Sequence, residues 1–137
     1  MPPPRAKGKE RKELKIEISF LEGLRKRDEK WIDVHRILAD DYTELGDYEA
    51  ALAADLEVTS NEPENAGAHY NLACSFSLTN CQEPAGEALL MAAALGYEKI
   101  RECFKDPHLE KLRASSEWPY VLKGLRQLQI RIPRQAS

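Results

Sequence analysis

Residues 32–65, IDVHRILADDYTELGDYEAALAADLEVTSNEPEN, and residues 66–99, AGAHYNLACSFSLTNCQEPAGEALLMAAALGYEK, are two consecutive windows of one helical pattern with a period of 34 residues. In the first, Leu38, Tyr42 and Leu45 recur at helical spacing, and Gly46-Asp47 then supplies a stop and a turn. A second helix runs from about Tyr48 to Thr59 and is ended by Ser60-Asn61-Glu62-Pro63. Asn65 is the N-cap of the next helix, from about Ala66 to Leu78. The second window keeps Leu72, Ala73, Phe76, Ala85, Leu89 and Ala92 in the same register. Ala39 with Ala51, and Ala73 with Ala85, fall where the two helices of a hairpin approach closely, so longer side chains there would force them apart. A period of this length predicts an all-α fold of stacked helical hairpins.

The alternation of large apolar, small, aromatic and turn residues at these places resembles the tetratricopeptide-repeat (TPR) family. Upstream, Ile18, Leu21 and Leu24, followed by Asp28 and Trp31, look like the second helix of a preceding half repeat with Glu29 in place of the usual proline. Downstream, Ala88–Tyr97, the DPHLEKLR stretch at 106–113 and WPYVL at 118–122 resemble the closing segment of small bacterial TPR proteins. The resemblance covers about residues 16–125, and its most specific parts are AHYNLAC at 68–74 and the D-P-x-L-x-x-L-R block. It implies a helical-hairpin solenoid of about two full repeats, a preceding half repeat and C-terminal capping helices. Asn80-Cys81 departs from the Gly-Asp turn, and Pro84, near the start of the following helix, implies a shifted helix start. The expected layout is a disordered basic arm at 1–13, a TPR domain at 14–127 with repeats at 32–65 and 66–99 and a capping segment at 100–127, and a flexible tail at 128–137. Helices near Ile16–Leu24 and Trp118–Leu125 are the expected end caps.

The 137 residues, 42% hydrophobic and 31% charged, fit one small soluble domain. No run approaches the ~18 apolar residues of a membrane span, and Met1-Pro2-Pro3-Pro4-Arg5 does not open a secretory signal. Three cysteines without regular spacing point to a reducing cytoplasm rather than a disulfide framework. Charge is uneven: residues 1–27 carry nine Lys/Arg against four Asp/Glu, 28–98 carry two against fifteen, and 99–137 carry nine against four. The acidic middle reads as solvated helix faces, as a seat for a basic partner, or as a surface for the chain's own tail. Nucleic-acid binding is disfavoured. The basic residues are interleaved with Glu10, Glu13, Glu17 and Glu22, the pI is about 5.7 and no recognised motif is present, which leaves only nonspecific phosphate contacts by Arg5, Lys7, Lys9, Arg11 and Lys12.

Catalytic constellations are missing from the pattern. His35 and His69 lie 34 apart and Cys74 follows His69 by five, a set that in principle suits zinc. The simpler reading is that each imidazole replaces an aromatic at a packing position. H-E-x-x-H, C-x-x-C, Walker and G-x-S-x-G patterns do not occur. Cys81 has no activating neighbour in sequence, His108 is expected to face water, and Trp31 and Trp118 are expected to pack at the caps. A noncatalytic protein without cofactor or metal is expected.

The TPR resemblance implies that the first helices of the repeats line a concave groove for a peptide or helix. Carried onto this chain, the groove positions are Asp33, Arg36, Asp40 and Thr43, then Tyr70, Asn71, Cys74 and Ser77. Arg36 and Asn71 match in type a carboxylate-clamping set, but Asp40 stands where an asparagine belongs and would repel the anion by about 1 kcal/mol. A basic or amphipathic protein segment is the expected partner, and the expected role is an adaptor, with no membrane partner. The alternatives are a structural solenoid that self-associates into a homo-oligomer and, less favoured, a metal-binding or enzymatic protein.

Overall fold

The computed structural model describes residues 10–134. These form α1 (Arg11–Arg27), α2 (Ile32–Leu45), α3 (Tyr48–Asn61), α4 (Ala66–Leu78), α5 (Gln82–Ala94), 3₁₀ turns at Ile100–Phe104 and Pro107–Leu109, α6 (Glu110–Arg113) and α7 (Trp118–Gln127). Among the described residues there is no strand. The protein is all-helical, and its helices pack as adjacent pairs: α1 on α2, α2 with α3, α3 on α4, α4 with α5, and α7 on α5.

The 34-residue offset survives in the coordinates. α2 and α4 begin at Ile32 and Ala66, and α3 and α5 at Tyr48 and Gln82. The shifted helix start expected from Pro84 is therefore overturned: Pro84 is the third residue of α5, where an amide has no intrahelical acceptor and a missing N–H costs little. The turns repeat as well. Gly46 (φ 89°) ends α2, with the Asp47 N–H donating to the Tyr42 carbonyl at 2.9 Å. Asn80 (φ 66°) holds the equivalent left-handed place after α4, with the Cys81 N–H donating to the Phe76 carbonyl at 2.9 Å. Asparagine is among the few residues that tolerate this conformation, so the departure from Gly-Asp leaves the turn unchanged. Asp47 and Asn65 cap α3 and α4 by accepting the Ala50 and Ala68 N–H groups at 3.2 and 3.1 Å.

Two apolar cores hold the pairs. One joins α1 to α2 and α3 through Ile18, Leu21, Val34, Leu38 and Ala39. The larger joins α4 and α5 to the closing segment through Leu72, Leu89, Leu109, Leu112, Trp118 and Leu125. Ala39, Ala51, Ala73 and Ala85 are all buried, as the close-approach pattern requires. α7 lies so near α5 that a Cβ on Gly124 would sit 2.6 Å from Leu90 Cδ2, and one on Gly86 would sit 2.9 Å from Val121 Cγ2.

Several expectations are corrected. α1 starts at Arg11, so residues 11–13 of the expected arm are helical, while residues 1–9 lie outside the described residues. Ile130 and Ile132, assigned to the flexible tail, pack on the larger core, and the Ile130 N–H donates to the Leu125 carbonyl at 2.9 Å; residues 135–137 lie outside the described residues. His108 is buried rather than solvated, because the Pro107–Leu109 turn folds onto α4. Trp118 packs edge-on against Phe104, but Trp31 precedes the first turn of α2 and is 47% exposed.

Ala51→Leu should cost about 1–3 kcal/mol through overpacking, whereas the exposed Ala53→Leu should stay within ~0.5 kcal/mol. Urea unfolding of the two variants checks this contrast, and equal costs would contradict the helix register.

Candidate functional site

Two clefts adjoin on the surface that carries α2 and α4. The smaller, about 200 Å³, is lined by Arg36 and Asp40 of α2, Asp55 and Val58 of α3, the cap residue Asn65, and Gly67, Ala68 and Asn71 of α4. The larger, about 520 Å³, is lined by Tyr70, Asn71 and Cys74 of α4, by Tyr97, and by Lys99, Glu102 and Lys105–His108 of the closing segment. Asn71 belongs to both and stands at their junction.

Of the eight groove positions, five line these clefts: Arg36, Asp40, Tyr70, Asn71 and Cys74. Asp33 is exposed at the edge, 3.3 Å from Arg36. Thr43 and Ser77 line neither cleft, since both are buried and committed to backbone. Thr43 Oγ1 donates to the Ala39 carbonyl at 2.8 Å, and Ser77 Oγ accepts the Leu112 N–H at 3.2 Å, tying the closing segment to α4.

Arg36 is not available as an anion clamp. Its guanidinium donates twice to Glu62, at 2.7 and 2.9 Å, in the fork geometry that arginine and carboxylate share. The Glu62 hydrogen bond, with Asp33 adding to it, raises the Arg36 pKa further above its ordinary value. Reciprocally, the bonds from Arg36 and Asn65 hold the Glu62 carboxyl down at about 2. Asp40 and Asp55 complete this cleft, and the buried Asp55 accepts from Ser75 Oγ at 2.5 Å. The smaller cleft is thus acidic.

In the larger cleft the Tyr70 hydroxyl donates to Asp106 Oδ2 at 2.9 Å, and the Tyr70 ring leans on Tyr97 with centroids 4.7 Å apart. Burial, with Cys74 and Asp106 alongside, raises the Tyr70 pKa far above its ordinary value and fixes the hydroxyl as a donor. Asp106 Oδ1 also accepts the His108 N–H at 2.9 Å, while Arg113 donates to the Cys103 and Asp106 carbonyls at 2.8 Å each. Burial pushes the Cys103 thiol up to about 12, so at neutral pH it is a thiol and not a nucleophilic thiolate.

The histidines serve the repeat geometry. His35 Nε2 donates to the Glu29 carbonyl and His69 Nε2 to the Pro63 carbonyl, each at 2.8 Å and each six residues back. Both bonds fasten the loop before a first helix to that helix. Among the described residues no three His, Cys, Asp or Glu side chains are grouped to hold a metal, and no helix is long and apolar enough to cross a membrane. Sequence reasoning missed Glu62, Tyr97 and Asp106 as site residues. Asp106 stood in the D-P-x-L-x-x-L-R block, but only the fold shows that it meets Tyr70, 36 positions earlier.

No protein-family model matches this chain, and no solved structure matches it. Among curated proteins it is similar to a chloroplastic protein of Arabidopsis thaliana, with 35% identity over 85 residues. That match covers 60% of this chain, which spans about a quarter (25%) of the relative's length.

Because Glu62 is held at about 2 in the folded chain against an ordinary 4.5, its ion pair stabilises the protein above pH 4.5. That contribution should be lost progressively as pH falls from 4.5 towards 2. Glu62→Gln should remove part of the acid-induced fall in melting temperature across this window. An acid profile identical to that of the unaltered chain would show that the pair does not contribute.

Proposed function

We propose that this chain is a noncatalytic interaction module of the TPR type, a short helical-hairpin solenoid whose α2–α4 surface binds an extended basic or amphipathic segment of a partner protein. The repeated helix starts, the paired left-handed turns and the two equivalent histidine bonds support the repeat reading. The observation that carries the functional reading is the acidic cleft itself: Glu62 occupies the one arginine, and the remaining charged groups on the lining are Asp40 and Asp55. A carboxylate ligand is poorly served there. A lysine or arginine beside Asp40 is well served.

Asn71, at the junction, offers both a donor and an acceptor to a peptide backbone, and the Tyr70–Tyr97 pair offers an apolar wall to the next side chain. The partial match to a much longer chloroplast protein is compatible with a module that recurs inside larger chains. The cysteine pattern, with none of the three in a disulfide, favours a reducing compartment such as the cytoplasm.

The test is binding of a labelled Lys/Arg-containing peptide to the full chain and to a double variant, Asp33→Lys with Asp40→Lys. Affinity should fall as salt rises and should drop by about tenfold or more in the variant, a loss of ~1.4 kcal/mol or more. Both residues are exposed, so helicity and melting temperature should hardly change. Undiminished affinity in the variant would move the binding surface away from α2.

A further inference from the structure

Among the described residues, α1 is packed on one side only. Leu14, Ile18 and Leu21 are buried, while Ile16 and Phe20, pointing the other way, are 63% and 65% exposed. At about 100° per residue, Lys12, Lys15, Lys26 and Arg27 fall with Ile16 and Phe20 in an arc of about 140°, and all six side chains are exposed. The carboxylates of the helix lie outside that arc: Glu22 turns to Tyr42 and Arg25, Glu17 is partly buried, and Glu13 sits at the edge. The N-terminal half of the face is a shallow hollow lined by Arg11, Lys12, Lys15, Ile16 and Ser19.

Ser19 and Gly23 lie on the same arc, one turn apart. A Cβ added at Gly23 would meet nothing within 4 Å. A glycine inside an exposed helix weakens it relative to alanine, and here it leaves a notch where another helix backbone can come close. The face thus has two bulky apolar side chains, a notch and four cations.

Charge decides what covers it. Residues 1–9 carry Arg5, Lys7 and Lys9 and no carboxylate, so they offer nothing of complementary charge to this face. Two copies paired through this face would bring like charges together. An anionic bilayer would satisfy the cations but makes no use of the notch, and two apolar side chains are little to insert. We propose that the outward face of α1 docks an acidic amphipathic helix of a partner protein, with that helix's apolar residues on Ile16 and Phe20 and its carboxylates facing Lys12, Lys15, Lys26 and Arg27. This surface is separate from the α2–α4 clefts.

The probe is a labelled synthetic helix of Glu, Ala and Leu with leucines at i, i+4 spacing, titrated by fluorescence anisotropy into the full chain beside a scramble of equal charge. The patterned peptide should bind about tenfold or more tightly than its scramble. Ile16→Ala with Phe20→Ala should erase that preference. Lys12→Glu with Lys15→Glu should weaken binding and transfer the preference to a Lys-for-Glu version of the peptide. Circular dichroism checks that these exposed substitutions leave the fold intact, and Asp33→Lys with Asp40→Lys should leave this binding unchanged.

Equal binding of the scramble, or undiminished preference in the Ile16/Phe20 variant, would overturn the proposal. So would binding to phosphatidylserine vesicles without binding to the peptide, which would assign the face to a membrane. Concentration-dependent self-association abolished by the same variants would assign it to a second copy.

Discussion

The fold depends on reversing the chain within two or three residues after each first helix. Gly46 and Asn80 achieve this by adopting the left-handed conformation, which places the next amide under a carbonyl five residues back and closes the helix end. With so short a link, α2 and α3, and likewise α4 and α5, have to lie side by side, and contact is then limited by the smallest side chains between them. The buried alanines at 39, 51, 73 and 85 answer that limit. The same solution recurs after α5 at Gly96 and after α7 at Gln129.

Features that depend on neighbours in sequence are legible without the fold. The 34-residue offset, the stop and turn at Gly46-Asp47, the helix-capping role of Asn65 and the buried alanines are encoded in short stretches and survive in the coordinates. Features that depend on distant partners are not. The TPR resemblance matches Arg36 in type to an anion ligand, yet Glu62, 26 residues on, holds both of its terminal nitrogens. The resemblance places Ser77 and Thr43 among groove positions, yet a backbone amide from the closing segment occupies one and a carbonyl of its own helix the other. Ala54 of α3 is buried in the core that Ile18 and Leu21 of α1 share with Val34, Leu38 and Ala39 of α2, a burial that depends on helices distant in sequence. Pro84 misleads in the opposite sense. A proline in a first turn leaves the helix start where its amides would have been unpaired in any case.

The closing segment does more than cover a core. It brings Asp106 under Tyr70 and the ring of Tyr97 against it, so most of the larger cleft is lined by residues outside the two first helices. The shape of the cleft therefore depends on how the closing segment docks on α4. Binding on this surface would stabilise the closing segment in turn, by the usual linkage between ligand and native state.

The most direct measurement is an NMR titration of the isotopically labelled full chain with a lysine-rich peptide, following every backbone amide. The account predicts that shifts concentrate on Arg36, Asp40, Tyr70 and Asn71 and continue into Glu102 and Asp106, with α1 and the outward faces of α3 and α5 unmoved. Shifts confined to α3 and α5, or spread evenly over the acidic middle of the chain, would contradict a binding surface between α2 and α4.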